Sequence, residues 1–89
     1  MANKTATTTA TLIVPSNAKR VSIIMENEGA SDVYIGKDNT VTAANGVKMV
    51  VEGTFTEDGA GTPVYKGDIY GITSAGTADV RYWEREANH

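Results

Sequence analysis

The chain has 89 residues, a net charge of −3 and an isoelectric point near 4.9. A chain this short forms one domain that buries only about 60–65% of the surface its unfolded state exposes, so self-association or a larger partner is expected to add stability. The acidic balance opposes a nucleic-acid partner, because counterion release needs clustered Lys and Arg, and the lack of cysteine excludes disulfides and thiolate metal sites.

Thr, Val and Ile are plentiful while Leu occurs once, at Leu12. β-Branched residues lose little in a pleated strand and more in a helix, so the composition points to an all-β fold. Met1 to Thr5 carries no apolar core of a secretory signal, and no apolar run approaches the roughly 20 residues that cross a bilayer. No membrane partner is expected.

In chain order, residues 1–11 read as an extended Thr-rich arm. Ala2 to Thr11 holds five Thr and three Ala and no large apolar side chain. Such a segment cannot offset about 1–2 kcal/mol of backbone entropy per ordered residue alone, so it is expected to be mobile in the free chain. It should become ordered by adding to a sheet edge of a neighbouring subunit, with Thr5, Thr7 and Thr9 as interface candidates. Leu12, Ile13 and Val14 then read as a short strand stopped by Pro15, and residues 12–86 as a single sandwich domain.

From Arg20 to Phe55 the period-two signals are clearest. Val21, Ile23 and Met25 alternate with Ser22 and Glu26; Glu28 to Ser31 supplies a turn; Val33 and Ile35 share a face opposite Tyr34. Asn45-Gly46 has the composition of a type I′ hairpin turn leading into Val47, Met49 and Val51. The expectation is a β-meander in which Val21, Ile23, Val33, Ile35, Val47, Met49 and Val51 all point into one core. Glu57 to Pro63 is the most turn-rich run, followed by a strand over Val64 to Ile72, where Gly67 and Gly71 signal a bulge or a close backbone approach. Ser74-Ala75-Gly76 turns into a last strand, Ala78 to Glu84, expected to pair with the strand before it, and residues 87–89 form a disordered tail. The fold class expected is a small antiparallel β-sandwich or partly open barrel of six to eight strands.

Catalytic chemistry finds little footing. The only histidine is His89, the last residue, so Ser-His-Asp catalysis and His-based metal sites lack their central member, and no enzyme and no cofactor are expected. Glu26 and Glu28 lie on one side of a strand as solvated acids. Asp32, Asp38 and Asn39 flank one strand without the spacing of a calcium loop, so no metal site is assigned. Asn3-Lys4-Thr5 matches a glycosylation sequon by chance composition. Tyr34, Tyr65, Tyr70, Tyr82 and Trp83 all fall in expected strands, and adjacent Tyr82 and Trp83 must face opposite sides of a sheet. Trp83 shares its side with Arg81 and Arg85, the composition of an interface hot spot, and these three join the Thr residues as interface candidates.

The order of Asn27 and Gly29 in a turn, Val33-Tyr34-Ile35-Gly36, Val41-Thr42 with Asn45-Gly46, Ile69-Tyr70-Gly71-Ile72, Ser74-Ala75-Gly76-Thr77-Ala78, Val80-Arg81 and Glu84 resembles small β-sandwich virion proteins of tailed bacteriophages, among them capsid decoration and head-fibre proteins. The resemblance spans Arg20 to Glu86. It implies a non-enzymatic structural protein on the capsid surface of the virion, binding the major capsid protein from outside the head as a homo-oligomer, usually a trimer or another symmetric cluster. The alternative is a carbohydrate- or receptor-binding module on a phage tail or head fibre.

Overall fold

The computed structural model describes residues 2–58 and 64–86. They form eight strands: β1 (Ala2–Ala6), β2 (Thr11–Val14), β3 (Arg20–Asn27), β4 (Val33–Gly36), β5 (Val47–Met49), β6 (Thr54–Asp58), β7 (Ile69–Thr73) and β8 (Ala78–Glu86). Two four-stranded antiparallel sheets, ordered β1-β8-β3-β6 and β2-β7-β4-β5, pack face to face as a sandwich. The all-β expectation is met. The expected tail at 87–89 and most of the expected loop, residues 59–63, lie outside the described residues, although Glu57 and Asp58 belong to β6 rather than to a loop.

The expected meander is not formed. β3 belongs to one sheet while β4 and β5 belong to the other, so the turn after β3 carries the chain across the sandwich. Asn27 holds that crossing: its buried side-chain amide donates to the carbonyls of Ser31 at 2.8 Å and Met49 at 3.0 Å, and its Oδ1 accepts from the Gly29 N–H at 3.0 Å. Gly29 is required there because a Cβ would lie 2.4 Å from the Ala78 Cα. Likewise β7 and β8 do not pair with each other; β7 runs between β2 and β4, and β8 between β1 and β3. The turn between them places Gly76 at φ 72°, a conformation open to glycine.

Asn45-Gly46 does not close a two-residue hairpin. β4 and β5 do pair, Val33 opposite Met49 and Ile35 opposite Val47, but through a connection spanning 37–46 in which the Asn45 and Gly46 N–H groups both donate to the Thr42 carbonyl. Gly46 serves close approach, since a Cβ would sit 2.8 Å from the Tyr34 Cβ. The close approach expected at Gly71 is found: a Cβ there would meet Ile13 Cγ1 at 3.0 Å and Val33 Cγ1 at 3.2 Å across the core.

The core gathers Ala6, Ile13, Val14, Ile23, Met25, Val33, Ile35, Met49, Ile69, Ala78 and Val80. Three of the expected core residues are exposed. Val21 is the extra residue of a bulge between Arg20 and Ser22, which turns it outward, 39% exposed, and puts Arg20 inward instead. Val47 shares the face of Ile35 but stands on the three-residue edge strand β5, 58% exposed, beyond the cover of the opposite sheet. Val51 lies past the end of β5, beside Glu52 at φ 63°.

Arg20 is fully buried and organises one end of the sandwich. Its Nε donates to Glu84 Oε2 at 2.5 Å, one terminal nitrogen donates to the Tyr65 and Gly67 carbonyls at 2.9 and 3.1 Å, and the other donates to the Pro15 carbonyl at 2.8 Å. Tyr65, expected within a strand, sits in the irregular stretch that Arg20 ties down; its N–H donates to Glu57 Oε1 at 2.7 Å and its hydroxyl to the Asp68 carbonyl at 2.8 Å.

The Thr-rich arm is extended, as expected, but needs no neighbouring subunit to be ordered. Ala2 to Ala6 pair along Ala78 to Tyr82 of the chain's own β8, and the Thr7 carbonyl accepts from the Thr73 N–H at 2.8 Å. Thr11 already belongs to β2, so the arm ends inside the sandwich. What the composition concealed is Ala6, whose small side chain is fully buried between the sheets, while the strand gains its hydrogen bonds from β8.

A candidate protein-docking face

Antiparallel register decides which side chains share the outer face of the β1-β8-β3-β6 sheet. On β8, alternation sends Val80, Tyr82 and Glu84 toward the opposite sheet and leaves Asp79, Arg81, Trp83 and Arg85 outward. Tyr82 and Trp83 thus face opposite sides, as expected, with Tyr82 packed on the core and Trp83 54% exposed. Trp83 stands directly across from Ile24 of β3, 37% exposed, which in turn stands across from Thr56 of β6. The centre of the face is therefore an aromatic and a branched aliphatic side chain in one cross-strand row, flanked by the Arg81–Glu26 and Arg85–Ser22 pairs.

Charge is unevenly spread along this row. Arg81 reaches Asp79 at 3.5 Å and Glu28 at 4.0 Å. Asn3 of β1, opposite Arg81, donates to Asp79 at 2.9 Å. Glu26 shares a hydrogen bond with Glu28, and that bond together with the repulsion of the second carboxylate raises the Glu26 pKa above its ordinary value, while Arg81 only partly offsets this. The Glu28 end of the face thus carries an excess of negative charge, and Arg85 stands at the other.

The structure brings Arg81, Trp83 and Arg85 together on one face and places Thr5 at its margin, opposite Asp79. Thr7 and Thr9 do not join it. They lie in the turn between β1 and β2, where the Thr7 hydroxyl accepts from the Thr9 N–H at 3.2 Å, so their hydroxyls shape the turn that carries the chain from one sheet to the other. Sequence reasoning missed Ile24 as part of the face, although the alternation that sends Ile23 and Met25 inward already leaves it outward; what only the register between β3 and β8 supplies is its place beside Trp83.

Asp32 and Asp38 are engaged separately. Asp32 Oδ1 accepts from the Val51 N–H at 3.1 Å, and Asp38 Oδ1 accepts from both the N–H and hydroxyl of Thr40, hydrogen bonds that lower the Asp38 pKa. Among the described residues no three acidic or histidine side chains are placed to hold a metal ion. Where the sheets diverge, Ile35, Val47, Phe55, Tyr65 and Ile69 line an apolar groove of about 120 Å³, with the Lys37 ammonium 5.0 Å from the Tyr65 ring. That volume is below the roughly 300–1,000 Å³ of sites that enclose a metabolite. Comparison with protein-family models, curated proteins and solved structures found no match to the chain.

Proposed function

We propose that the chain is a non-enzymatic structural virion protein of a tailed bacteriophage, a capsid decoration protein that binds the outside of the head and stabilises it. The observation that carries this reading is the outer face of the β1-β8-β3-β6 sheet, where Trp83 and Ile24 stand exposed side by side between charged residues. Trp and Arg dominate the energetics of protein interfaces, because a large rigid ring or a planar guanidinium gains much contact for little lost rotamer entropy. Its partners are the major capsid protein and further copies of the chain. A protein that binds the assembled shell better than its dissociated subunits stabilises the shell by mass action.

The test is co-sedimentation of the purified chain with phage heads, with and without Trp83→Ala. Saturating, stoichiometric attachment to heads that the Trp83→Ala variant loses is the expected result. A few copies bound at the tail, or retention on immobilised glycans instead of heads, would replace this reading with a receptor- or carbohydrate-binding module. Undiminished attachment of Trp83→Ala to heads would remove this face as the docking surface.

A further inference from the structure

The connection from β4 to β5 carries a covalently labile pair, Asn45-Gly46, in a conformation that blocks its reaction. Asparagine is lost when the backbone nitrogen of the next residue attacks the side-chain carbonyl carbon, and the attack is fastest before glycine, where no Cβ stands in the way. Among the asparagines of the chain only Asn45 precedes a glycine. We propose that Asn45 is a deamidation site gated by the fold: the closed loop holds it unreactive, and its conversion to isoaspartate, once the loop has opened, unfastens the edge strand β5.

In this reaction the Gly46 nitrogen gives up its proton and bonds to Asn45 Cγ, the Cγ–Nδ2 bond breaks, and the amide leaves as ammonia. The product is a cyclic succinimide joining residues 45 and 46. Water then opens the ring at either carbonyl. Attack at Cγ leaves an aspartate on an unaltered backbone. Attack at the backbone carbonyl leaves an isoaspartate, whose main chain runs through the former side chain and is longer by one carbon.

The closed loop opposes the first step at both reacting groups. Thr42 and Asn45 satisfy each other's turn in the manner of a capping box: the Thr42 hydroxyl accepts from the Ala44 N–H at 3.2 Å, and Asn45 Oδ1 accepts from the Thr42 N–H at 2.7 Å. Asn45 Nδ2 donates to the Thr40 carbonyl at 3.3 Å, so both ends of the amide are tied to residues that precede it in the chain. The nucleophile is tied as well, since the Gly46 N–H donates to the Thr42 carbonyl at 2.8 Å, four residues back, as in a turn of helix. Ring closure needs rotation about the Asn45 Cα–C bond, which swings Gly46 away from Thr42 and breaks that bond.

Packing sets the consequence. Gly46 fills a slot with no spare room, where a Cβ would lie 2.8 Å from the Tyr34 Cβ and 2.9 Å from Val41 Cγ2. A backbone lengthened between residues 45 and 46 does not return Gly46 to that slot. β5 starts at the next residue, Val47, and its three residues pair with β4 alone at the edge of the sheet, so the isoaspartyl product releases it.

Peptide mapping by mass spectrometry of the full chain, aged in mildly alkaline buffer both folded and in concentrated urea, tests the proposal through the mass gain at Asn45 when the amide becomes a carboxyl. Only the open form reacts, so conversion of Asn45 is expected to be at least about tenfold slower in the folded chain than in urea. Val41→Ala removes packing on Gly46, and Thr42→Val removes the exposed hydroxyl that accepts from Ala44; each should speed the folded rate by at least about twofold. Far-UV circular dichroism confirms that a variant is folded, and Thr42→Val, altered only at the surface, serves where Val41→Ala is not. The isoaspartyl chain, separated by ion exchange, should melt below the intact chain. Asn45→Asp, which keeps an acceptor for the Thr42 N–H on an unaltered backbone, should melt closer to it. No conversion of Asn45 in urea overturns the site. Equal rates folded and in urea, or folded rates unmoved in every folded variant, overturn the gate, and an isoaspartyl chain that melts like the intact one overturns the release of β5.

Discussion

Replacing the buried Arg20 by Met is expected to remove a large part of the stability of the domain. Arg20 is 0% exposed and its guanidinium holds four acceptors: Glu84 Oε2 and the carbonyls of Tyr65, Gly67 and Pro15. Met fills much of the volume but leaves the Glu84 carboxylate, only 18% exposed, without its cation and three carbonyls without a charged donor. Breaking one side of a buried pair costs about 3–5 kcal/mol, against a total of about 4–13 kcal/mol for 89 residues. Urea unfolding followed by far-UV circular dichroism, with a slope of about 1–3 kcal/mol/M, should show the midpoint falling by more than about 1 M. Adding Glu84→Leu to Arg20→Met removes the stranded charge and should recover part of the loss, because the desolvated carboxylate rather than the lost attraction is the larger cost. A midpoint within about 0.3 M of wild type for Arg20→Met would refute the assignment of Arg20 as the clamp of this end of the sandwich.

Deleting Ala2 to Ala6 should lower the melting temperature sharply, because it uncovers the edge of β8 and empties the site of the buried Ala6; an unchanged melt would return the arm to the status of an accessory. Ile23→Ala should cost about 2–5 kcal/mol as a fully buried large-to-small change, measured by the same urea titration, and a loss under about 1 kcal/mol would exclude Ile23 from the core. Glu26→Gln tests the carboxylate pair through pH. The folded-state pKa of Glu26 is raised by Glu28, so its contribution to stability is fully present below its unfolded pKa and is lost as pH rises through the folded value. The Gln variant should therefore melt above wild type at pH 7, with the difference shrinking as pH falls toward about 4; a difference that does not change with pH would mean that the two acids do not interact.

Much of this architecture follows from local pattern. The period-two runs of β3 and β4, the close approach at Gly71 and the opposed faces of Tyr82 and Trp83 need only the geometry of a strand, in which neighbours point to opposite sides. Local pattern says nothing about which strands share a sheet. The meander drawn through Arg20 to Phe55 and the pairing of the last two strands both treated neighbours in sequence as neighbours in space, whereas β3 and β8 meet across some sixty residues through the register of Glu26 with Arg81 and Ile24 with Trp83. The residues that direct these crossings looked ordinary in the chain. Arg20 and Asn27 have the composition of a solvated surface, and they are buried because the carbonyls and carboxylate that satisfy them arrive from Pro15, Tyr65, Gly67 and Glu84 in one case and from Ser31 and Met49 in the other. The Thr-rich arm and the outward valines tell the same story, since a strand is stabilised by the neighbour it pairs with and a side chain is buried by the sheet laid over it, and both are supplied by parts of the chain remote in sequence.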